Sequence, residues 1–251
     1  LREAESRGQL RAHYQPVVDA ADGSLVGAEM LLRWYHPRGG WIDPARFIPI
    51  TEETGQIRRL GLWALREACA QAAAWREAGL RLPALSVNVS SVQLNAPDFP
   101  GAVAGVLAET GLDPAMLVIE MTETTFMGED GRIPTTLREL RELGVGVAID
   151  DFGTGYSSLS YLKRFPADRI KLDRDFVSGL PAEEANTAIV ESAVALGRAF
   201  GSRVVAEGVE RAEEAAMLRA LGVEELQGFL YGRAAAAAEF ERAWLRRPAA
   251  G

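Results

Sequence analysis

Apolar residues along this chain gather into eight short blocks: "HYQPVV", "LVGAEMLLRW", "ALSVNVS", "MLVIEMT", "VGVAID", "RIKLD", "SRVVAEG" and "VEELQGF". Each is too short for a helix and rich in Val, Ile and Leu, as strands buried on both faces are. Between them the apolar spacing changes to three and four. That period predicts helices over Ile57 to Trp75, Pro181 to Phe200, and about Thr135–Leu143, Ala212–Leu221 and Ala236–Leu245. Pro44, Pro97, Pro134 and Pro181 suit first helical turns, and Gly79, Gly111, Gly144 and Gly222 suit helix ends. Eight strands alternating with helices over 251 residues predict an α/β fold, a TIM-like (β/α)8 barrel, with a doubly wound open sheet as the alternative. Only "DAADGS" joins the first two strands, too little for a crossover helix, so the first strand is expected to run antiparallel and make the barrel irregular there.

Composition narrows the function. No run is apolar enough to span a bilayer and no signal segment opens the chain, which suggests a cytoplasmic location, either free or as the cytoplasmic part of a membrane-anchored protein. The start at Leu1 suggests a single domain, 1–251, from a longer protein. The one cysteine, Cys69, excludes an internal disulfide and a thiolate zinc cluster, and it reads as a buried helical thiol. With only His13 and His36, both surface or strand-end residues in this reading, a histidine-rich metal site is excluded too. The net charge of −8 and the lack of a basic stripe argue against a nucleic-acid duplex as partner. Of 27 basic residues only Lys163 and Lys171 are lysine.

Polar groups interrupt the strands near their carboxyl ends: Glu29, Asn88, Glu120, the adjacent pair Asp150 and Asp151, Lys171, Glu207 and Gln227. One such residue is usually a solvated strand end, but seven strands in succession are not, and in a barrel that end is where active sites are built. Five carboxylates, one amide and one lysine would converge there. Lys171 cannot neutralise five negative charges, whereas hard divalent cations with oxygen ligands can, and this donor set suits Mg²⁺ or Mn²⁺ better than zinc. Two ions sharing one of the adjacent aspartates would suit in-line phosphoryl displacement.

In order along the chain, "GAEMLLRW", "FIPITEETGQI", "VNVSSVQL", "IEMTET", "DDFGTGYSSL", "IKLD", "VVAEGVE" and "LQGFLYGR" resemble the motif series of the EAL domain, bacterial phosphodiesterases that cleave cyclic di-GMP. The match runs from about Leu10 to Arg233. The resemblance implies that Glu29, Asn88, Glu120 and Asp150 ligate a first ion, and that Asp150, Asp151 and Glu207 ligate a second. It implies a role for Lys171 and Gln227 at the attacking water, and for Glu123 as a brace under the loop after Asp151. For the substrate it implies Arg33 on a phosphate, Asp173 and Glu210 on guanine edges, Phe229 as a stacking face, and Gln15 and Leu31 in contact. The signature Glu-Ala-Leu is Glu29-Met30-Leu31 here, Phe229 replaces a common tyrosine, and Ala234 replaces a common proline.

The activity so implied is hydrolysis of cyclic di-GMP to linear 5′-pGpG by a water activated by two metal ions, with Ca²⁺ expected to inhibit. A catalytically silent cyclic di-GMP receptor and a pure interaction module are the other classes. The resemblance also implies a homodimer through the segment after the DDFGTG loop, around Tyr156–Arg164, and a GGDEF-type or sensor domain upstream.

Overall fold

The computed structural model describes residues 4–126, 131–153, 162–163, 165 and 167–246. Its ten strands are β1 (Leu10–Asp19), β2 (Leu25–His36), β3 (Gly40–Ile42), β4 (Leu85–Asn88), β5 (Leu117–Thr122), β6 (Gly146–Phe152), β7 (Arg169–Leu172), β8 (Arg203–Ala206), β9 (Glu225–Gln227) and β10 (Ala235–Ala236). Eight of them close a barrel in the order β1-β9-β8-β7-β6-β5-β4-β2, with β2 returning to β1. β1 is antiparallel to both β2 and β9, and the other barrel pairs are parallel. The irregular (β/α)8 barrel is therefore the observed fold. β3 and β10 are short additions to β2 and β1.

The parallel strands are buried on both faces, as their continuous apolar runs require; in β5 all but Thr122 are buried. Their outer faces and the surrounding helices share one core. Its densest aromatic part lies behind β1. Tyr14 meets Trp75 edge-on with centroids 4.9 Å apart, Phe240 lies 5.5 Å from Trp75, and the indole N–H donates to Glu241 at 3.2 Å. On the floor of the barrel the fully buried Glu225 accepts from Arg169 (2.8 Å) and Arg203 (3.1 Å).

The helices follow the 3.6 period where one face is apolar: Ile57–Glu77, Ile133–Glu142, Glu184–Phe200 and Ala212–Leu221. The last predicted one is broken into Ala237–Phe240 and a π-helical turn, Glu241–Leu245. Helices Pro44–Glu53 and Phe99–Thr110 lie outside the ranges given by the 3.6 period, although Pro44, Pro97 and Gly111 marked two helix starts and one end there. The second, "FPGAVAGVLAET", is small and apolar nearly all round, so no stripe marks it. Pro44 does open a helix, behind an Asp43 cap that accepts from Ala45 N–H at 3.0 Å. Pro97 and Pro181 do not; the helices after them begin at Phe99 and Glu184. No helix among the described residues is long and apolar enough to cross a membrane.

Candidate active site

Strand register builds the site at the C-terminal mouth. On β2, Glu29 faces inward while Met30, 2% exposed, packs into the outer core, so the Met in place of Ala leaves the carboxylate free to point into the barrel. Parallel pairing sets Asn88 beside Glu120, and antiparallel pairing sets Gln15 opposite Glu29. Lys171 on β7 is 2% exposed and lies at the centre. Its Nζ meets Glu207 at 2.5 Å, Glu120 at 2.7 Å, and Glu29 and Asp150 at 3.4 Å each. Glu29 is fixed from both sides, accepting from Asn88 Nδ2 at 2.5 Å and from Gln227 Nε2 at 2.7 Å.

The adjacent aspartates owe their arrangement to a break in the strand. Pairing between β6 and β7 shifts register between Ile149 and Phe152, and Asp151 has φ +56°, the only positive φ of a non-glycine among the described residues. Such strain persists only where the surroundings over-determine it, and it gathers at functional sites. Asp150 thereby turns to Lys171, while Asp151 stands beside Asp150 and Asp173. Below the bulge, the buried Glu123 accepts from Gly153 N–H at 2.8 Å, where a brace for the following loop would act.

One ammonium stands among four carboxylates, and burial is the largest cause of the shifts in their proton affinities. Burial pushes Glu120 up to about 7, only partly countered by Lys171. Glu207 and Asp150 are raised for the same reason, and Asp151 goes up to about 6 through burial and then the charges of Asp150 and Asp173. Glu29 moves the other way: burial opposes ionisation, but Lys171, Gln227 and Asn88 together outweigh it. For Lys171, burial alone would lower the pKa; Glu120, Glu207, Glu29 and Asp150 overcome that and raise it well above the usual lysine value.

Among the described residues no three acidic side chains close on each other as a chelating set; the four carboxylates close on the Lys171 ammonium instead. Their chemistry nonetheless fits hard divalent cations. All the donors are oxygens, the charge is unbalanced, and Gln227 Oε1 is a buried acceptor without a hydrogen-bond partner.

From this centre a cleft of about 480 Å³ opens along Gln15, Leu31, Glu207, Glu210, Gln227 and Phe229. Phe229 is 49% exposed, with the Arg233 guanidinium 3.8 Å from its ring centroid. Arg33 does not line this cleft. It opens on an adjoining cavity of about 290 Å³ with Leu31, Asn88 and Pro44. Asp173 caps the turn after β7, accepting from Asp175 N–H at 2.8 Å. Sequence reasoning missed Arg174, Ser178 and Arg211 on the cleft wall. Arg174 and Arg211 directly follow the singled-out carboxylates Asp173 and Glu210, which was the one signal available. Of the loop after Phe152, residues 154–161 lie outside the described set, as does most of the segment expected to dimerise.

A closed barrel with an acidic mouth beside an open cleft defines the class: a (β/α)8 barrel with its candidate site at the strand C-termini. Within that class the chain belongs to the EAL domain family, whose model matches residues 1–234. It is 45% identical over 233 residues to the bifunctional diguanylate cyclase/cyclic di-GMP phosphodiesterase MucR of Pseudomonas aeruginosa, covering 93% of this chain and 34% of that one. The chain spans about a third of the length of the curated relatives it matches. Among solved structures, the PaMucR phosphodiesterase in complex with c-di-GMP superposes with TM-score 0.91 at 44% identity, covering 95% of this chain and 97% of that one. The manganese/cy-diGMP complex of Klebsiella pneumoniae BlrP1 matches with TM-score 0.80 at 34% identity, covering 91% and 56%.

Proposed function

We propose that this chain is a cyclic di-GMP phosphodiesterase that opens one 3′–5′ diester to give linear 5′-pGpG. The observation that carries the reading is the convergence of Glu29, Glu120, Asp150 and Glu207 on one buried ammonium at the mouth of the barrel. The kinship with MucR supports it. Glu29, Asn88, Glu120 and Asp150 would hold one Mg²⁺ or Mn²⁺, and Asp150, Asp151 and Glu207 a second. Such ions supply Lewis acidity at the scissile phosphate and acidify the attacking water.

The protein's own groups do the rest. Lys171 Nζ, held by Glu120 and Glu207, orients the attacking water, and Gln227 Oε1 accepts one of its hydrogens. Glu123, through Gly153 N–H, holds the strained Asp151 in place. Phe229 stacks one guanine, whose N1–H and N2–H groups face Glu210 and Asp173. Arg33, in the adjoining cavity that shares Leu31 with the cleft, takes the phosphate that is not cut, and Gln15 touches the substrate from the cleft wall. Water adds to phosphorus, the P–O3′ bond breaks, and the product leaves with a 5′-phosphate and a free 3′-hydroxyl.

Incubation with cyclic di-GMP and Mg²⁺ or Mn²⁺, with products resolved by chromatography, tests this. pGpG should form, EDTA should abolish it, and Ca²⁺ should inhibit, being larger and looser in geometry. Tight binding without cleavage would make the chain a receptor, and unchanged turnover in EDTA would remove the metal mechanism. The same proposal takes the chain as a cytoplasmic domain of a longer signalling protein, with a cyclase or sensor domain ahead of it. It also has the chain self-associating around residues 156–164. A strictly monomeric protein in sedimentation velocity, fully active at every concentration, would reject that last part.

A further inference from the structure

We propose that Arg174 is a specificity-determining residue: its guanidinium reads the O6/N7 edge of the guanine stacked on Phe229, next to the N1/N2 edge read by Glu210 and Asp173. This rests on the function proposed above and adds a residue that the motif resemblance does not assign.

Among the described residues four cations stand on the cleft, at its head or over Phe229, and three of them are engaged, Arg233 by the Phe229 ring at 3.8 Å. Lys171 is held by four carboxylates. Arg211 donates Nε to Glu214 at 2.8 Å and Nη2 to the Leu180 carbonyl at 2.8 Å. Arg174 has only Asp175 at 3.8 Å, with both side chains more than three-quarters exposed, a loose pair that solvent screens.

Its position is fixed more firmly than its tip. Gly208 has φ +68°, and a Cβ there would collide with the Cβ of Arg174, so the stem of Arg174 lies directly against the turn between Glu207 and Glu210. That turn joins the carboxylate centre to the guanine end of the cleft, and Phe229 lines the same cleft. Asp173, the preceding residue, has one oxygen committed to its cap. A long side chain with free donors is thus anchored between the reacting centre and the stacking face.

Guanine offers adjacent acceptors at O6 and N7, which the guanidinium fork fits in bidentate fashion. Adenine keeps N7 but puts an amino donor at position 6. The fork would then face a donor, and the carboxylates would lose the N1–H they accept. Arg174 and the acidic pair therefore reject adenine from both edges.

The test compares wild-type protein with Arg174→Ala and Arg174→Lys on cyclic di-GMP and on its 7-deazaguanine analogue, which lacks N7. Cyclic di-AMP serves as competitor. Arg174→Ala is expected to raise KM about 10-fold with kcat within about twofold, within the range of one bidentate base contact, and to narrow the preference over cyclic di-AMP. The deaza substitution should cost the wild type more than Arg174→Ala by a similar factor, and Arg174→Lys should recover part of the loss. Equal KM in wild type and Arg174→Ala, or an equal deaza penalty in both, overturns this inference and leaves the hydrolase reading standing. A wild-type protein that neither binds nor cleaves cyclic di-GMP overturns both.

Discussion

An arginine in place of Lys171 would have to seat a planar fork where a single ammonium now meets four carboxylates within 2.5–3.4 Å, in a side chain 2% exposed. Charge would be kept, but the compact group that can point at one water would be lost. Lys171→Arg should therefore fold and retain much of its cyclic di-GMP affinity while losing about 100-fold in kcat, the scale expected when a reacting group is misplaced by about 1 Å. Lys163→Arg is the control and should be silent. Equal turnover in the two variants would reduce Lys171 to a source of charge. Lys171 and the carboxylates were legible in the sequence because each breaks an apolar run, and a charge in a buried strand needs a partner. Arg174 and Arg211 were not, because they stand after the strands end, where polar residues are ordinary. The Asp150–Asp151 pair was legible only as a puzzle. Strict alternation would send the two to opposite faces, and nothing in "AIDDFG" shows in advance that a non-glycine will take φ +56°.

At the scale of elements, the loop after β9 shows how backbone fit positions the cleft. Val209 N–H donates to the Gln227 carbonyl at 3.0 Å, and Leu230 N–H donates to the Val209 carbonyl at 3.0 Å. This clasp carries Gln227 on one side and Phe229 on the other. A Cβ on Gly228 would run into the Val209 backbone, which has no rotamer to escape through. Gly228→Ala should thus lower unfolding free energy by about 2 kcal/mol, within the usual range for overpacking, and cut kcat/KM by moving both neighbours. Unchanged thermal midpoint and kinetics would mean that the two loops shift freely. The period of the apolar pattern located the strands and the long amphipathic helices. It could not reveal Phe99–Thr110, where small apolar residues leave no stripe, nor the π-helical turn Glu241–Leu245, whose first residue accepts from the Trp75 indole N–H.

The barrel as a whole brings these local features together where the two cations are proposed to bind. The antiparallel β1 was legible in the six-residue link to β2, because a crossover helix cannot fit there; closure followed from the strand count. The candidate ligands come from β2, β4, β5 and β6 and the residue after β8, so the site exists only when the sheet closes, and the unfolded chain has no equivalent. A cation bound only by the folded state stabilises it by about 2.7 kcal/mol at a hundred times Kd. For a domain of this size each kcal/mol moves the midpoint roughly 2–4 °C. Saturating Mn²⁺ should therefore raise Tm by about 5–10 °C over the value in EDTA, with no substrate present. Glu29→Gln, which keeps the side chain's size and removes a ligand charge, should lose most of that rise, while Arg58→Ala, in an exposed pair with Asp98, should keep it. The shift is read without turnover, so it separates cation binding from catalysis. If Tm is the same in Mn²⁺ and EDTA, or if Glu29→Gln shifts as far as the wild type, the carboxylates serve the Lys171 ammonium alone and the cation assignment fails even if the protein cleaves its substrate.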